Sequence, residues 1–132
     1  MRRNFVLLSE ISLCSGGRVF DLHNDYRFDG LTYTPSGDFG LTWSSLSDDL
    51  HKLLIFFSGV DWVRVESIAA RSDIDGNACL DFVGFIHPDD EGVMDGFLFE
   101  DQSSIEHHLI FGFSGGLAIR AYASSVEMRC VG

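Results

Sequence analysis

His108-Leu109-Ile110-Phe111-Gly112-Phe113-Ser114-Gly115-Gly116-Leu117-Ala118-Ile119-Arg120-Ala121-Tyr122 is the stretch that decides the fold class. An apolar run, a serine–glycine–glycine break and a second alternating run spell a β-hairpin. Two antiparallel strands need a tight connection, and glycine accepts the positive φ that such a connection imposes. Gly115-Gly116 is read as the two-residue turn. Beyond Tyr122 the phase changes. Leu117, Ile119, Ala121 and Ala123 share one face, whereas Val126, Met128 and Cys130 carry the apolar role afterwards, so a bulge or bend is expected at Ser124-Ser125.

The same period-two pattern recurs upstream. A first strand is expected with Phe5, Leu7, Ser9, Ile11 and Leu13 on one face, and a short one at 18–22. Residues 26–34 and 39–45 form a hairpin across Thr34-Pro35-Ser36-Gly37-Asp38, and residues 52–58 and 61–69 another around Ser58-Gly59. Residues 78–86 follow Asp75-Gly76, a dipeptide suited to a tight turn, and 96–100 is a further short strand. Fourteen glycines and twelve phenylalanines against two prolines favour strands with tight turns over helices. One segment reads two ways. Ser47 followed by Asp48-Asp49 and by Leu50, Leu53 and Leu54 has the cap and spacing of a short helix over 47–54, yet it leads directly into a strand pattern. No linker, repeat or low-complexity tract divides the chain. The expectation is one mainly β domain over 1–132, an antiparallel β-sandwich or strongly curved sheet of about nine short strands, with at most the one helix.

Charge narrows the choice of partners. Nine basic and twenty acidic residues leave a formal charge of −11, which disfavours nucleic acid because phosphate would be repelled. No window is long and apolar enough for a helical membrane span, and Phe5 to Leu8 is too short for the apolar part of a secretory signal. Acidic residues cluster at Asp48-Asp49, Asp89-Asp90-Glu91 and Glu100-Asp101. Of these, Asp48, Asp49, Asp89, Asp90 and Glu91 are the candidate contacts to a basic protein, since such a field speeds encounter with a cationic partner.

Three widely spaced cysteines, Cys14, Cys79 and Cys130, match neither a disulfide framework nor zinc spacing, and are expected to be reduced thiols in a cytoplasmic protein. Asp73-Ile74-Asp75-Gly76-Asn77 resembles a calcium loop, but the sixth position is Ala78 and the twelfth Gly84, so an Asp/Gly turn is expected instead. Asp21, His23 and Asp25 alternate on one strand face and are the alternative candidate for a metal, ligand or general-base cluster. No phosphate-binding glycine loop or nucleophile elbow occurs, and no cofactor is expected.

Leu54 to Val65 and Leu109 to Ala121, each an apolar strand with a tight glycine break and an alternating strand, resemble small bacterial β-rich proteins of the toxin-immunity type. The resemblance covers about a third of the chain and implies a cytoplasmic, non-catalytic binding role without assigning residues to it. The expectation is therefore a small acidic interaction protein that sequesters a basic protein partner such as a toxin. The alternative is a ligand- or metal-binding β-sandwich, catalytic in its fullest form, built on Asp21, His23 and Asp25. A free strand edge offers a third possibility, pairing with a second copy of the chain.

Overall fold

The computed structural model describes residues 1–47, 51–67, 76–90 and 97–131. Within them the chain forms ten strands: β1 (Arg2–Arg3), β2 (Val6–Leu7), β3 (Ser12–Ser15), β4 (Arg18–Asp21), β5 (Tyr26–Tyr33), β6 (Phe39–Ser45), β7 (Lys52–Ser67), β8 (Leu80–Ile86), β9 (His108–Phe113) and β10 (Leu117–Val131). Gly76–Ala78 and Glu100–Gln102 are single 3₁₀ turns. The main sheet runs β5-β6-β7-β10-β9-β8 with antiparallel neighbours, and β1 adds in parallel to β10. The remaining three strands form a small antiparallel sheet in the order β2-β3-β4. The fold is mainly β and strongly curled. Among the described residues no helix is long and apolar enough to cross a membrane.

The two longest strands, β7 and β10, pair from Lys52↔Val131 to Ser67↔Leu117. The expected hairpin around Ser58-Gly59 is therefore not formed, and residues 52–67 are one strand. Gly59 takes φ +64°, and the register slips between Tyr122 and Ala123, where Trp62 and Val60 are the successive partners and Asp61 is left over. This is a bulge, and a bulge bends a strand without ending it. The phase change expected at Ser124-Ser125 is thus real, but the extra residue lies across the ladder in β7. A turn at Gly59 would forfeit the β10 partners on one side of it.

The bend lets the two halves of the ribbon serve two different flanking hairpins. β6 pairs with residues 52–57 of β7, placing Phe39 opposite Phe57, Leu41 opposite Ile55 and Trp43 opposite Leu53. β9 pairs with residues 118–121 of β10, placing Phe111 opposite Ile119 and Leu109 opposite Ala121. All of these side chains are buried, and Phe39 and Phe57 stack with centroids 4.5 Å apart. Curling then brings the flanks together across the core. Phe28 of β5 meets Phe113 of β9 at 4.4 Å, and Trp43 meets Phe111 at 5.9 Å. Leu7, Leu13, Phe20 and Leu22 of the small sheet and its flank join the same core.

Several local readings are corrected. Residues 5–13 form no single strand. Leu8 and Ser9 donate to the Ser12 carbonyl, so the chain folds into the β2–β3 hairpin, with Leu7 opposite Leu13. Of the segment 47–54 where a helix is expected, Lys52 to Leu54 belong to β7, where pairing with β6 and β10 outweighs local helical spacing, and Asp48 to Leu50 lie outside the described residues. The strand at 96–100 shrinks to one bridge, Leu98 to Phe85, before the 3₁₀ turn. The 108–122 hairpin closes through three residues. Gly116 N–H donates to the Phe113 carbonyl and only Gly116, φ +97°, is left-handed, which is a turn followed by a glycine bulge. The three cysteines are free thiols, but Cys130 is exposed at the end of β10.

The Gly59 bulge has a direct test. An added Cβ there would sit in a strained backbone region and 2.7 Å from Ser124 Oγ. Gly59→Ala should therefore lower unfolding free energy by about 1–3 kcal/mol, read by urea denaturation. An unchanged midpoint would show that the bulge does not hold the curl.

Candidate functional site

Two of the cavities among the described residues differ in chemistry. The larger, about 530 Å³, runs between the β2–β3 connection, β8 and the 3₁₀ turn. Its position depends on two glycines. On the outer face of β8 and β9 the Phe82 ring lies over Gly112 and the Phe97 ring over Gly84; a Cβ at either glycine would come within 2.1 Å or 2.4 Å of the ring. The two rings stack on each other at 4.6 Å and 6°. This stacking and the Leu98–Phe85 bridge hold Phe97 to Phe99 against β8, so that Phe99, 50% exposed, stands at the cavity wall.

Glu100 closes the arrangement. Its carboxylate accepts bidentate hydrogen bonds from Arg3 at 2.9 and 2.8 Å and a third from the Leu7 N–H at 2.9 Å. Burial pushes this carboxyl up, but the Arg3 bonds, the Leu7 N–H and the Arg3 charge outweigh burial and hold it below the usual carboxylate range. Leu7, Leu8, Val83 and Phe99 supply the apolar surface, with Leu8 54% exposed, and Glu10, Glu100 and Asp101 supply three carboxylates. Among the described residues the lining contains no basic side chain, and Arg3 meets Glu100 from beside it. Glu10 is tied to the sheet through its carbonyl, which accepts from Val83 N–H.

The second cavity, about 450 Å³, opens where the far half of the β7–β10 ribbon meets the His87–Asp90 turn. Arg120 is its centre and is only 2% exposed. Its Nε donates to His108 Nδ1 at 3.0 Å, Nη1 to the Asp90 carbonyl, and Nη2 to the His87 and Pro88 carbonyls at 3.1 and 3.3 Å. Because His108 Nδ1 accepts, the ring is neutral and carries its hydrogen on Nε2. Burial, followed by the charges of Arg120, His107 and His87, lowers the His108 pKa to about 4. Trp62, His108 and Tyr122 form a continuous row, with centroids 5.0 and 5.3 Å apart. The Arg120 and Arg64 guanidinium groups lie 5.0 and 5.5 Å from the Trp62 centroid.

The residues read from the sequence distribute unevenly over these cavities. Asp89 and Asp90 are exposed on the turn held by Arg120, and Asp90 lines the second cavity. Asp48, Asp49 and Glu91 lie outside the described residues. Asp21 is engaged locally: its carboxylate accepts from the His23 and Asn24 N–H groups and the Asn24 amide. Burial raises this carboxyl, but those bonds and the nearby His23 bring it below its ordinary value. His23 Nδ1 lies 2.6 Å from the Leu80 carbonyl and 3.4 Å from Cys79 Sγ. Asp25 is exposed and gives its backbone to Leu46 and Asp21. The structure does not bring Asp21, His23 and Asp25 together as a metal-holding group, and none occurs among the described residues. In the sequence Glu100-Asp101 stands out as acidic, whereas Leu8, Glu10, Arg64 and Arg120 do not stand out as site residues. An arginine on an otherwise apolar strand is the one signal that points to Arg120. Comparison with protein-family models, with curated proteins and with solved structures returns no match to the chain.

The pocket histidine makes stability depend on pH. His108 titrates at its ordinary 6.5 when unfolded and at about 4 when folded. The unfolded chain therefore binds more protons in between, and this contribution to stability is complete above 6.5 and lost as pH falls through 4. Glu100 acts in the same direction at lower pH. His108→Gln keeps an acceptor for Arg120 but does not titrate, so its urea midpoint should fall less than wild type between about pH 7 and about pH 4.5. Equal losses would show that His108 does not carry the effect.

Proposed function

We propose that the chain is a non-catalytic interaction protein that binds a basic protein partner, such as a toxin, through the groove between Leu8 and Phe99. The observation that carries this reading is the composition of the groove: exposed apolar surface beside the carboxylates of Glu10 and Asp101, with Glu100 engaged by Arg3 and no basic side chain among the described lining residues. A lysine or arginine is a matching guest, since its methylene stem packs on apolar surface while its cationic head stays among carboxylates. Phe99 provides an aromatic anchor of the kind that dominates binding energy, and Glu10 and Asp101 provide charge around it. The Glu100 carboxylate is spent on Arg3 and the Leu7 N–H and fixes the groove wall, leaving Glu10 and Asp101 to meet the guest.

The net charge of −11 works at longer range. Asp48, Asp49, Asp89, Asp90 and Glu91 belong to this field, which raises the association rate of a basic partner and weakens with salt. The proposed setting is the cytoplasm, where the three thiols stay reduced.

Capture on the immobilised full chain, compared with Phe99→Ala and with Glu10→Lys/Asp101→Lys, tests the reading. Wild type should retain a basic protein in a one-to-one, salt-sensitive complex. Each variant should weaken it by about tenfold or more, roughly 1.4 kcal/mol. Retention unaffected by both variants, or retention of acidic proteins alone, would overturn the proposal.

A further inference from the structure

Beside the groove proposed to receive a basic partner, the chain already holds one cation with the same kinds of group. The Arg3 guanidinium gives two hydrogen bonds to the Glu100 carboxylate, at 2.9 and 2.8 Å. Its central carbon lies 4.7 Å from the Phe85 ring centroid and 5.9 Å from that of Phe5. A planar guanidinium does both at once, because its edge carries the N–H donors while its face lies on a ring. An ammonium group is a compact, strongly hydrated point charge and meets such a pair less well. Phe99 and Asp101, on either side of Glu100 in the chain, offer a ring and a carboxylate again. Phe99 is 50% exposed, and Glu10 and Asp101 are exposed and make no ion pair among the described residues. Arg3 opposes a second cation only weakly, because Glu100 balances its charge at contact distance.

We infer that the guest in this groove is an arginine side chain of the partner, bound in preference to lysine; the inference rests on the reading of the groove as the partner's docking site. The guanidinium stacks on Phe99 and donates to Asp101 and Glu10, and the methylene stem runs over Leu8. The receiving groups are in place before the guest arrives. The Phe99 ring meets the Phe97 ring edge-on, with centroids 5.6 Å apart at 76°, and Phe97 is itself stacked on Phe82. The Phe99 N–H donates to Gln102 Oε1 at 3.2 Å, and the Gln102 and Ser103 N–H groups donate to the Phe99 and Glu100 carbonyls at 3.0 and 3.2 Å, which closes the turn that carries Asp101. Glu10 is fixed to β8 through its carbonyl. A preformed site loses little conformational entropy on binding. The charge of −11 attracts any cation and does not separate arginine from lysine. The exposed ring does.

The test uses tripeptides with both ends blocked that carry arginine, lysine or citrulline between two glycines. Citrulline has the planar head of arginine without its charge. In ¹H–¹⁵N NMR titrations of the full chain, the arginine peptide should shift the Phe99 and Asp101 amide signals saturably, with a dissociation constant on the order of 1 mM. The lysine peptide should bind about threefold more weakly, and the citrulline peptide about tenfold more weakly than arginine. Phe99→Leu keeps apolar bulk at an exposed position but removes the ring face, so it should bring arginine down to the level of lysine. Asp101→Asn should weaken both cationic peptides. Lysine binding as tightly as arginine, or an arginine preference that survives in folded Phe99→Leu, would overturn the inference and leave the basic-partner reading standing. Citrulline binding as tightly as arginine would overturn both, since the groove would then not recognise charge. No saturable shift with the arginine peptide would overturn the inference alone, because the reading itself is decided by whether Phe99→Ala and Glu10→Lys/Asp101→Lys weaken capture of a basic protein.

Discussion

The bulged pairing of β7 with β10 is the constraint on which the rest of the molecule depends. Two strands of this length cannot stay straight and also enclose a core, because a twisted ribbon carries its faces around with it. Gly59, left-handed at φ +64°, and the unpaired Asp61 concentrate the bend at one place. On one side of the bend the inner face is supplied by Leu53, Ile55 and Phe57; on the other it passes to Ile119 and Ala121 of the partner strand. Two hairpins therefore attach to opposite edges of one ribbon, and their aromatic side chains meet across the core. Burying such rings contributes about 1.5–3 kcal/mol each before the entropic cost of ordering them.

Both cavities are consequences of that curl, but by different routes. The groove forms outside the sheet, where Phe97 and Phe82 use the missing side chains of Gly84 and Gly112 as seats. Arg3, from the parallel β1, reaches Glu100 and ties the chain's start to the 3₁₀ turn. The arginine cavity forms on the ribbon itself, past the bulge, where β6 no longer covers β7. Removing Gly59's bend would affect the second directly. The two sites also differ in charge: the described lining of one gathers carboxylates, and the other holds two of the chain's eight arginines beside Asp61 and Asp90.

Strand positions with alternating patterns are legible in the amino-acid sequence. The hairpin of β5 and β6 across Pro35 and Gly37, the β9–β10 hairpin and the phase change near Ser124 all follow from period two and turn chemistry. Ser58-Gly59 misleads because a glycine that ends a strand and one that bulges it look alike locally; only the continued β10 partner separates them. Leu53 and Leu54 keep helical spacing with Leu50, yet β6 and β10 claim them from both sides. Asp21, His23 and Asp25 resemble a cluster because alternate strand residues share a face. The chain leaves β4 at Asp21, however, and the turn spends the carboxylate on backbone N–H groups.

Composition and periodicity determined that the chain is acidic and mainly β, because alternation and glycine placement act between near neighbours. Tertiary structure alone decided which acids and arginines share a cavity. Glu10, Phe99 and Glu100 meet across about ninety residues of chain, and Arg64, His108 and Arg120 meet across about fifty-five. Such convergence is set by strand order and by the bend at Gly59, and no local pattern encodes it.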